Sequence, residues 1–75
     1  TILLRVIAGS FGDAAAAKTV VGELANKGVA SFVWTQQISE KTVFRVQVGA
    51  FSHQALADAM ILKLKELGYD AYLLQ

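Results

Sequence analysis

The sequence of 75 residues contains no cysteine, which excludes both a disulfide framework and a thiolate metal site. It also has little charge of one sign, because seven basic residues and six acidic residues leave a formal net charge of +1. A domain that binds through phosphate groups normally carries a large excess of lysine and arginine. The composition therefore does not indicate a nucleic-acid partner, and we expect packing alone to stabilise the fold.

The sequence also lacks a long apolar run, although 55% of its residues are hydrophobic. A membrane-spanning helix needs roughly 18 or more consecutive apolar residues. Charged residues interrupt every candidate, namely Arg5, Lys18, Glu23, Lys63 and Lys65. We therefore predict no membrane insertion by this domain. The chain begins TILLR, without a basic segment and cleavage site, and we expect it to be a domain cut from a longer protein.

An internal repeat is present instead. The stretch LRVIAGSFG, which starts at Leu4, is echoed by FRVQVGAFS, which starts at Phe44, and the offset of 40 positions continues to the end of the chain without a gap. Matched pairs include Arg5 and Arg45, Gly9 and Gly49, Phe11 and Phe51, Leu24 and Leu64, and Gly28 and Gly68. We predict a single domain over residues 1–75, built from two pseudo-repeats, 4–35 and 44–75.

Each repeat predicts the order strand, helix, strand. An alternating, β-branched run ends at Gly9 or Gly49, which is typical of a strand leading into a tight turn. A second strand follows the helix, VASFVWT (29–35) or YDAYLLQ (69–75), and we interpret TQQISEKT (35–42) as a solvated connection. The predicted fold class is α+β, a β-α-β-β-α-β arrangement of the ferredoxin or RNP-like type. It has a four-stranded antiparallel sheet with two helices on one face.

The predicted helices have clear end signals. Asp13 and Ser52 are suitable N-caps, and Gly28 and Gly68 suit the left-handed residue that ends a helix. Between these signals, apolar residues recur at i, i+3, i+4 and i+7, so each helix has one apolar stripe. The stripes are Ala17, Val20, Val21 and Leu24, and Ala57, Met60, Ile61 and Leu64.

Strand alternation assigns side chains to two faces of the sheet. The row facing the helices is predicted to be Leu4, Val6, Ala8, Ser31, Val33, Phe44, Val46, Val48, Ala71 and Leu73. The outward row is Arg5, Ile7, Phe32, Trp34, Arg45, Gln47, Tyr72 and Leu74. Aromatic rings beside Arg and Gln are typical of a binding platform. Two other interpretations stay open: strands favour aromatic residues in any case, and the parent protein or a second copy could cover this face.

No catalytic motif is convincing. GDAAAAKT (12–19) lacks the Gly directly before Lys that a phosphate loop has, and its alanines favour a helix. Ser52 and His53 are adjacent at a helix start, where two side chains rarely point at each other. We predict no enzyme activity, no metal site and no cofactor. Gln36 and Gln37, at the edge of the aromatic row, are further candidates for ligand contact.

Over RVQVGAFS (45–52) and ALADAMILKLKELGYDAYLL (55–74) the chain resembles the SPOR domain, a repeat found in bacterial cell-wall and division proteins. The signature is a VQVGAF or VQxGSF strand and turn, an Ala/Leu-spaced helix, then GY and a closing strand. The resemblance covers essentially the whole chain, with the first repeat a looser copy. It implies the β-α-β-β-α-β fold and a non-catalytic module that binds peptidoglycan glycan strands lacking stem peptides, on the sheet face away from the helices.

The resemblance also implies site residues. The family's strand Gln falls on Gln47, its turn Ser on Ser10, and its second-strand aromatic residue on Trp34 or Phe32. Together with the outward row, the predicted glycan-binding residues are Arg5, Ile7, Ser10, Phe32, Trp34, Arg45, Gln47 and Tyr72.

The two repeats depart from the family pattern in different places. Ile7 stands where the family usually has its glycan-contacting Gln, and Ala50 stands where Ser is expected. The polar pair usually found together is thus divided between the repeats. The implied location is the bacterial cell wall, periplasm or cell exterior, at the septum or spore envelope. The implied role is to bring a fused amidase, division or sporulation protein there.

Two alternatives use the same face. A single-stranded RNA binder would stack bases on strand aromatics, but Arg5, Ile7, Arg45 and Gln47 occupy the central strands instead of aromatic pairs. No nucleic acid is therefore expected. An assembly module would pair through Ile7, Phe32, Trp34 and Leu74. The sequence leaves the oligomeric state open.

Overall fold

The computed structural model, which describes residues 3–74, has the predicted element order and confirms the predicted fold class. The elements are β1 (Leu4–Phe11), α1 (Ala14–Asn26), β2 (Phe32–Ile38), β3 (Lys41–Phe51), α2 (Gln54–Glu66) and β4 (Tyr72–Leu74). The strands form one antiparallel sheet in the order β2-β3-β1-β4. Thr1 and Ile2 of the predicted domain, and Gln75 at the end of its closing strand, lie outside the described residues.

The central pair of strands, β1 and β3, contains two β-bulges. The register shifts twice, so that Ala8 in β1 and Val48 in β3 have no residue directly opposite. The bulges lie at equivalent positions of the two repeats. Because a bulge interrupts the alternation of side chains, Gly9 and Gly49 join Ala8 and Val48 on the helix side. Ser10 is thereby turned to the other face.

Gly9 and Gly49 lie inside their strands, so the predicted tight turn directly after each glycine is wrong. β1 continues to Phe11 and β3 to Phe51. A Cβ atom on Gly9 would lie 2.9 Å from Cζ of Phe11, and one on Gly49 would lie 2.9 Å from Cζ of Phe51. Each glycine is therefore needed because an aromatic ring folds back over it, and not because the chain turns there.

The two helices begin differently. Asp13 caps α1 as predicted, because its Oδ1 accepts a hydrogen bond from the amide of Ala15 at 3.0 Å. The N-cap of α2 is His53 and not Ser52, and the His53 side chain makes no capping hydrogen bond. The prediction of Ser52 as the N-cap is wrong. The start of α2 corresponds to the start of α1 in the repeat, where His53 is equivalent to Asp13, although Ser52 has the better capping side chain.

Both helices end as the glycines predict. Gly28 has φ 80° and Gly68 has φ 97°, the left-handed conformation that glycine adopts at low cost. In α1, the amide of Gly28 donates to the carbonyl of Ala25 and the amide of Val29 donates to the carbonyl of Leu24. The same pair of bonds closes α2 forty residues later. This is the Schellman arrangement, which satisfies the last helical carbonyl groups.

The hairpin between β2 and β3 is tighter than predicted. The stretch 35–42, interpreted as a connection, is mostly strand: Ile38 pairs with Lys41, and only Ser39 and Glu40 form the turn. Ser39 has φ 54°, which two-residue hairpin turns require at their first central position. The polar composition misled the prediction because this end of the hairpin is exposed on both faces.

The predicted inward row and the two helix stripes pack into one hydrophobic core. Its buried members are Leu4, Val6, Ala8, Ala17, Leu24, Val29, Val46, Ala57, Leu64 and Ala71. The molecule measures 35 × 31 × 16 Å, and the smallest extent corresponds to one layer of helices on one sheet. No element within residues 3–74 covers the second face of the sheet, which we call the open face.

Candidate functional site

The open face contains all eight predicted glycan-binding residues. The strand pairing brings together side chains from all four strands. They are Arg5, Ile7 and Ser10 from β1, Phe32, Trp34 and Gln36 from β2, Val43, Arg45, Gln47 and Ala50 from β3, and Tyr72 and Leu74 from β4. Alternation identified most of this set, because each strand except at its bulge follows a period of two.

A line of four side chains crosses the middle of this face. Phe32 is paired with Gln47, Gln47 with Ile7, and Ile7 with Tyr72. The two outer members are accessible, with Phe32 52% exposed. The two inner members are buried, Ile7 at 0% and Gln47 at 8% exposure. Other side chains of the open face must cover them, since neither helix of the described residues lies on that side.

The side chain of Trp34 reaches the centre of this face. The Cζ atom of Arg5 is 5.9 Å from the centroid of the Trp34 ring. Because Trp34 belongs to β2 and Arg5 belongs to β1, with β3 between them, the two side chains meet above the centre of the sheet. The indole therefore lies across the face instead of pointing away from it.

The indole is held by stacking and not through its nitrogen. Arg45 lies on the same ring as Arg5, with its Cζ atom 5.8 Å from the centroid. Each such cation-π contact contributes about 0.5–1 kcal/mol at an exposed site. The Nε1 atom of Trp34 is buried and has no hydrogen-bond partner among the residues that the structure describes.

Arg45 is fixed by hydrogen bonds to three other strands. Its Nη1 atom donates to Oγ of Ser10 at 3.1 Å and to the hydroxyl of Tyr72, and its Nε atom donates to Oε1 of Gln36 at 2.9 Å. The hydroxyl groups of Ser10 and Tyr72 are also hydrogen-bonded to each other. This network joins β3 to β1, β2 and β4, and it orients the guanidinium beside the indole.

Arg5 is equivalent to Arg45 in the repeat but has a different environment. The two hydroxyl groups that hold Arg45 correspond to Ala50 and Phe32, which have none. Arg5 is exposed, and its guanidinium makes no hydrogen bond to another side chain or carbonyl within residues 3–74. Among the described residues, the open face therefore contains one arginine whose donors are engaged and one whose donors are available.

The open face is positively charged. The six carboxylates of the chain all lie in helices, turns or loops, and none belongs to a strand. They are Asp13, Glu23, Glu40, Asp58, Glu66 and Asp70. Two arginines consequently share this face with no acidic strand residue to neutralise them, although the whole chain is close to neutral.

A shallow cleft extends the open face over one edge of the sheet. β4 pairs with β1 only as far as Tyr72, which is opposite Ile7. The rest of that edge of β1 therefore borders a cleft of about 470 Å³, whose lining includes Ser10, Tyr69 and Asp70. A ligand on the open face would reach this cleft beside the hydroxyl groups of Ser10 and Tyr72.

Sequence reasoning understated the part played by Gln36. It was a candidate only as a residue of the connecting stretch, whereas the structure has it in β2 beside Arg45. Its position two residues after Trp34 was the available signal, because alternation puts both on one face. Gln37 instead bonds within its own hairpin, accepting from Thr42 Oγ1 at 2.8 Å.

Neither helix among the described residues is long and apolar enough to cross a membrane. In the same part of the chain, no three His, Asp or Glu residues lie together in an arrangement that would hold a metal ion.

Comparisons with known proteins agree with this architecture. The family model described as the SPOR domain matches residues 3–75. The solution structure of the peptidoglycan-binding domain of the B. subtilis cell wall lytic enzyme CwlC is similar, with a TM-score of 0.74 and 30% sequence identity. The match covers 96% of this chain and 86% of that chain. A search of curated proteins gives no match.

Proposed function

The chain belongs to the SPOR domain family, and on that premise we propose that it is a non-catalytic module that binds peptidoglycan through its open face. The observation that carries this proposal is the open face itself, where two arginines flank Trp34, Phe32 is exposed, and no element within residues 3–74 covers the sheet. The similarity to the peptidoglycan-binding domain of CwlC supports it.

The chemistry of the open face suits a glycan strand. The apolar C–H faces of sugar rings pack on aromatic side chains, which combine a large apolar area with a fixed geometry. Hydroxyl and acetamide groups need donors and acceptors, and Ser10, Gln36 and Tyr72 offer both. An extended polymer fits a flat face better than a deep pocket, because the strand can continue beyond the site in both directions.

We assign the predicted site residues to two layers. Arg5, Ser10, Phe32, Tyr72 and the indole of Trp34 would contact the glycan, with Arg45 orienting the last two. Gln47 and Ile7 lie beneath them, at 8% and 0% exposure. In this proposal they support the indole from below, and the replacement of the family's Gln by Ile7 leaves the contact layer unchanged.

Within peptidoglycan, the proposed ligand is a glycan strand whose stem peptides have been removed. A stem peptide adds bulk to every muramic acid residue, and a flat face that packs against sugar rings accommodates a bare strand more readily. Such a module would bring a fused amidase, or a division or sporulation protein, to the cell wall at the septum or spore envelope. The similar domain in CwlC belongs to a cell wall lytic enzyme.

The test is co-sedimentation of the protein with purified sacculi, intact and amidase-treated, using Phe32→Ala beside Leu62→Ala. Both wild-type side chains are exposed, at 52% and 59%, but Leu62 lies on α2 and not on the open face. Losing one aromatic stacking contact weakens binding about 2- to 12-fold, so Phe32→Ala should bind less and Leu62→Ala should bind like wild type.

Amidase treatment should increase the amount of wild-type protein that sediments. Equal loss of binding in both variants, with folding unchanged by circular dichroism, would mean that the open face is not the binding surface. Failure of wild-type protein to sediment with either preparation would exclude the function itself.

A further inference from the structure

The two arginines of the open face form no ion pair within residues 3–74, and Asp70, in the cleft at the sheet edge, is the carboxylate that lies nearest to this face along the closing strand. Two guanidinium groups lie 5.9 Å and 5.8 Å from the centroid of one indole ring. No residue of the four described strands is acidic. Two like charges near one ring repel each other, and an anion placed between or beside them would be attracted to both. The face is therefore complementary to a ligand that carries negative charge.

The two arginines are not equally able to bind that anion. Arg45 already donates to Ser10, Gln36 and Tyr72. Arg5 is exposed, and no side chain or carbonyl within residues 3–74 accepts a hydrogen bond from it. A guanidinium with free donors in a fixed planar fork binds a carboxylate with two parallel hydrogen bonds. Arg5 is thus the residue of this face that is available for a planar anion.

A stripped glycan strand carries such an anion at every muramic acid residue. In intact peptidoglycan the carboxyl group of the lactyl substituent is joined to the stem peptide through an amide bond, so it has no charge. Hydrolysis of that amide adds water across the C–N bond and leaves a free carboxylate on the sugar. The free carboxylate is therefore a chemical group that is present only where the strand has lost its stem peptide.

We propose that Arg5 binds this lactyl carboxylate, so that the domain recognises the stripped strand by the charge that amide hydrolysis creates and not only by the absence of the peptide. The inference rests on the proposed function. Trp34 supports the sugar and the Arg5 side chain together, since the guanidinium already lies near its ring. Arg45 fixes the indole and contributes long-range attraction.

The experiment compares two forms of one ligand. Glycan strands from amidase-digested sacculi are used either with free carboxylates or with the carboxyl groups coupled to methylamine, which removes the charge and adds little bulk. Binding of wild type, Arg5→Gln, Arg5→Lys and Lys18→Gln is measured by titration. Lys18 is the matched control, because it is an exposed cation on α1, away from the open face.

Wild type and Lys18→Gln should prefer the carboxylate strand by about 10- to 100-fold, the range typical of a charge-assisted hydrogen bond. Arg5→Gln should lose most of this preference and retain only the small part that the long-range attraction of Arg45 supplies. Arg5→Lys should keep part of the preference, since it retains charge without the planar fork. Added salt should weaken only the binding of the carboxylate strand.

Equal binding of both strands by wild type would overturn the inference while leaving the proposed function intact. So would an equal loss of affinity for both strands in Arg5→Gln. Binding of neither strand by wild type would exclude the proposed function and the inference together. Tighter, salt-sensitive binding of a single-stranded oligonucleotide would also overturn it, because the anion would then be a phosphate.

Discussion

Arg5 and Arg45 are equivalent in the repeat, yet their partners differ. Arg45 is held by two hydroxyl groups and an amide oxygen, whereas the corresponding neighbours of Arg5 are Ala50 and Phe32. Both residues could be assigned to the open face from alternation alone. Their different hydrogen bonding depends on which side chains lie beside them on the neighbouring strands. In the same way, the sequence did not predict that the rings of Phe11 and Phe51 fold back over Gly9 and Gly49.

Gly9→Ala should lower the free energy of unfolding by about 1–3 kcal/mol, the usual cost of overpacking. The added Cβ would lie 2.9 Å from Cζ of Phe11, so a ring packed against the core must move. The matched control is Gly22→Ala, because Gly22 lies in α1 with no atom within 4 Å of a Cβ. That change should stabilise the protein by up to about 1 kcal/mol through helix propensity.

Urea unfolding of the two variants measures both effects. If Gly9→Ala were as stable as wild type, the contact between Phe11 and the strand backbone would not be what requires glycine at this position.

At the scale of elements, local sequence signals predicted which helices and strands exist, and their order, better than they predicted the residues at which these elements begin and end. Both helices, their apolar stripes and their C-terminal glycines follow from a period of 3.6 and from the left-handed backbone that Gly28 and Gly68 adopt. The N-terminus of α2 was predicted one residue too early, and β2 was predicted to end at Thr35 instead of Ile38. The extra length of β2 comes from hairpin pairing with β3, where Ile38 lies opposite Lys41, and this pairing outweighs a polar composition.

His53→Asp should raise the free energy of unfolding by about 0.5–1 kcal/mol, because the new carboxylate would cap α2 as Asp13 caps α1. At present α2 has no side-chain cap and no acidic residue in its first turn. The midpoint of urea unfolding measured at neutral pH should therefore rise, and the gain should disappear once the pH falls low enough to protonate the introduced carboxyl group.

The reciprocal variant Asp13→Ala serves as the control, since it removes the bond to the Ala15 amide and should lower the same midpoint. An unchanged midpoint in His53→Asp would mean that the start of α2 is already satisfied in another way.

At the scale of the whole molecule, the two repeats are interleaved. In the sheet order β2-β3-β1-β4, each strand of the first repeat is adjacent only to strands of the second. Neither repeat contains a pair of bonded strands of its own. A side-chain network on the helix side also joins them, since the hydroxyl of Tyr69 donates to Glu23 at 2.8 Å and accepts from Lys27. The repeats are therefore halves of one sheet.

Peptides that correspond to 1–40 and 41–75 should each be unfolded alone, because neither can form a strand pair or bury its helix stripe. An equimolar mixture should regain β-sheet and helix signals by circular dichroism, since all β1–β3 and β2–β3 pairing is between the fragments. Independent folding of either fragment would contradict this interpretation of the repeat. A mixture with one fragment scrambled in order is the control.

The sequence by itself determined the order of the elements, the two glycine helix ends, the apolar stripes and the two faces of the sheet. These features depend on residues close together in the chain, through periods of 2 and 3.6 and through backbone conformations that only certain residues adopt. Only the tertiary structure decided that Ile7 and Gln47 are buried although they belong to the open face, that bulges turn Ser10 outward, and that Arg45 donates to three side chains whereas Arg5 donates to none within residues 3–74. Those facts depend on the register between strands whose residues are tens of positions apart, and no local pattern encodes that register.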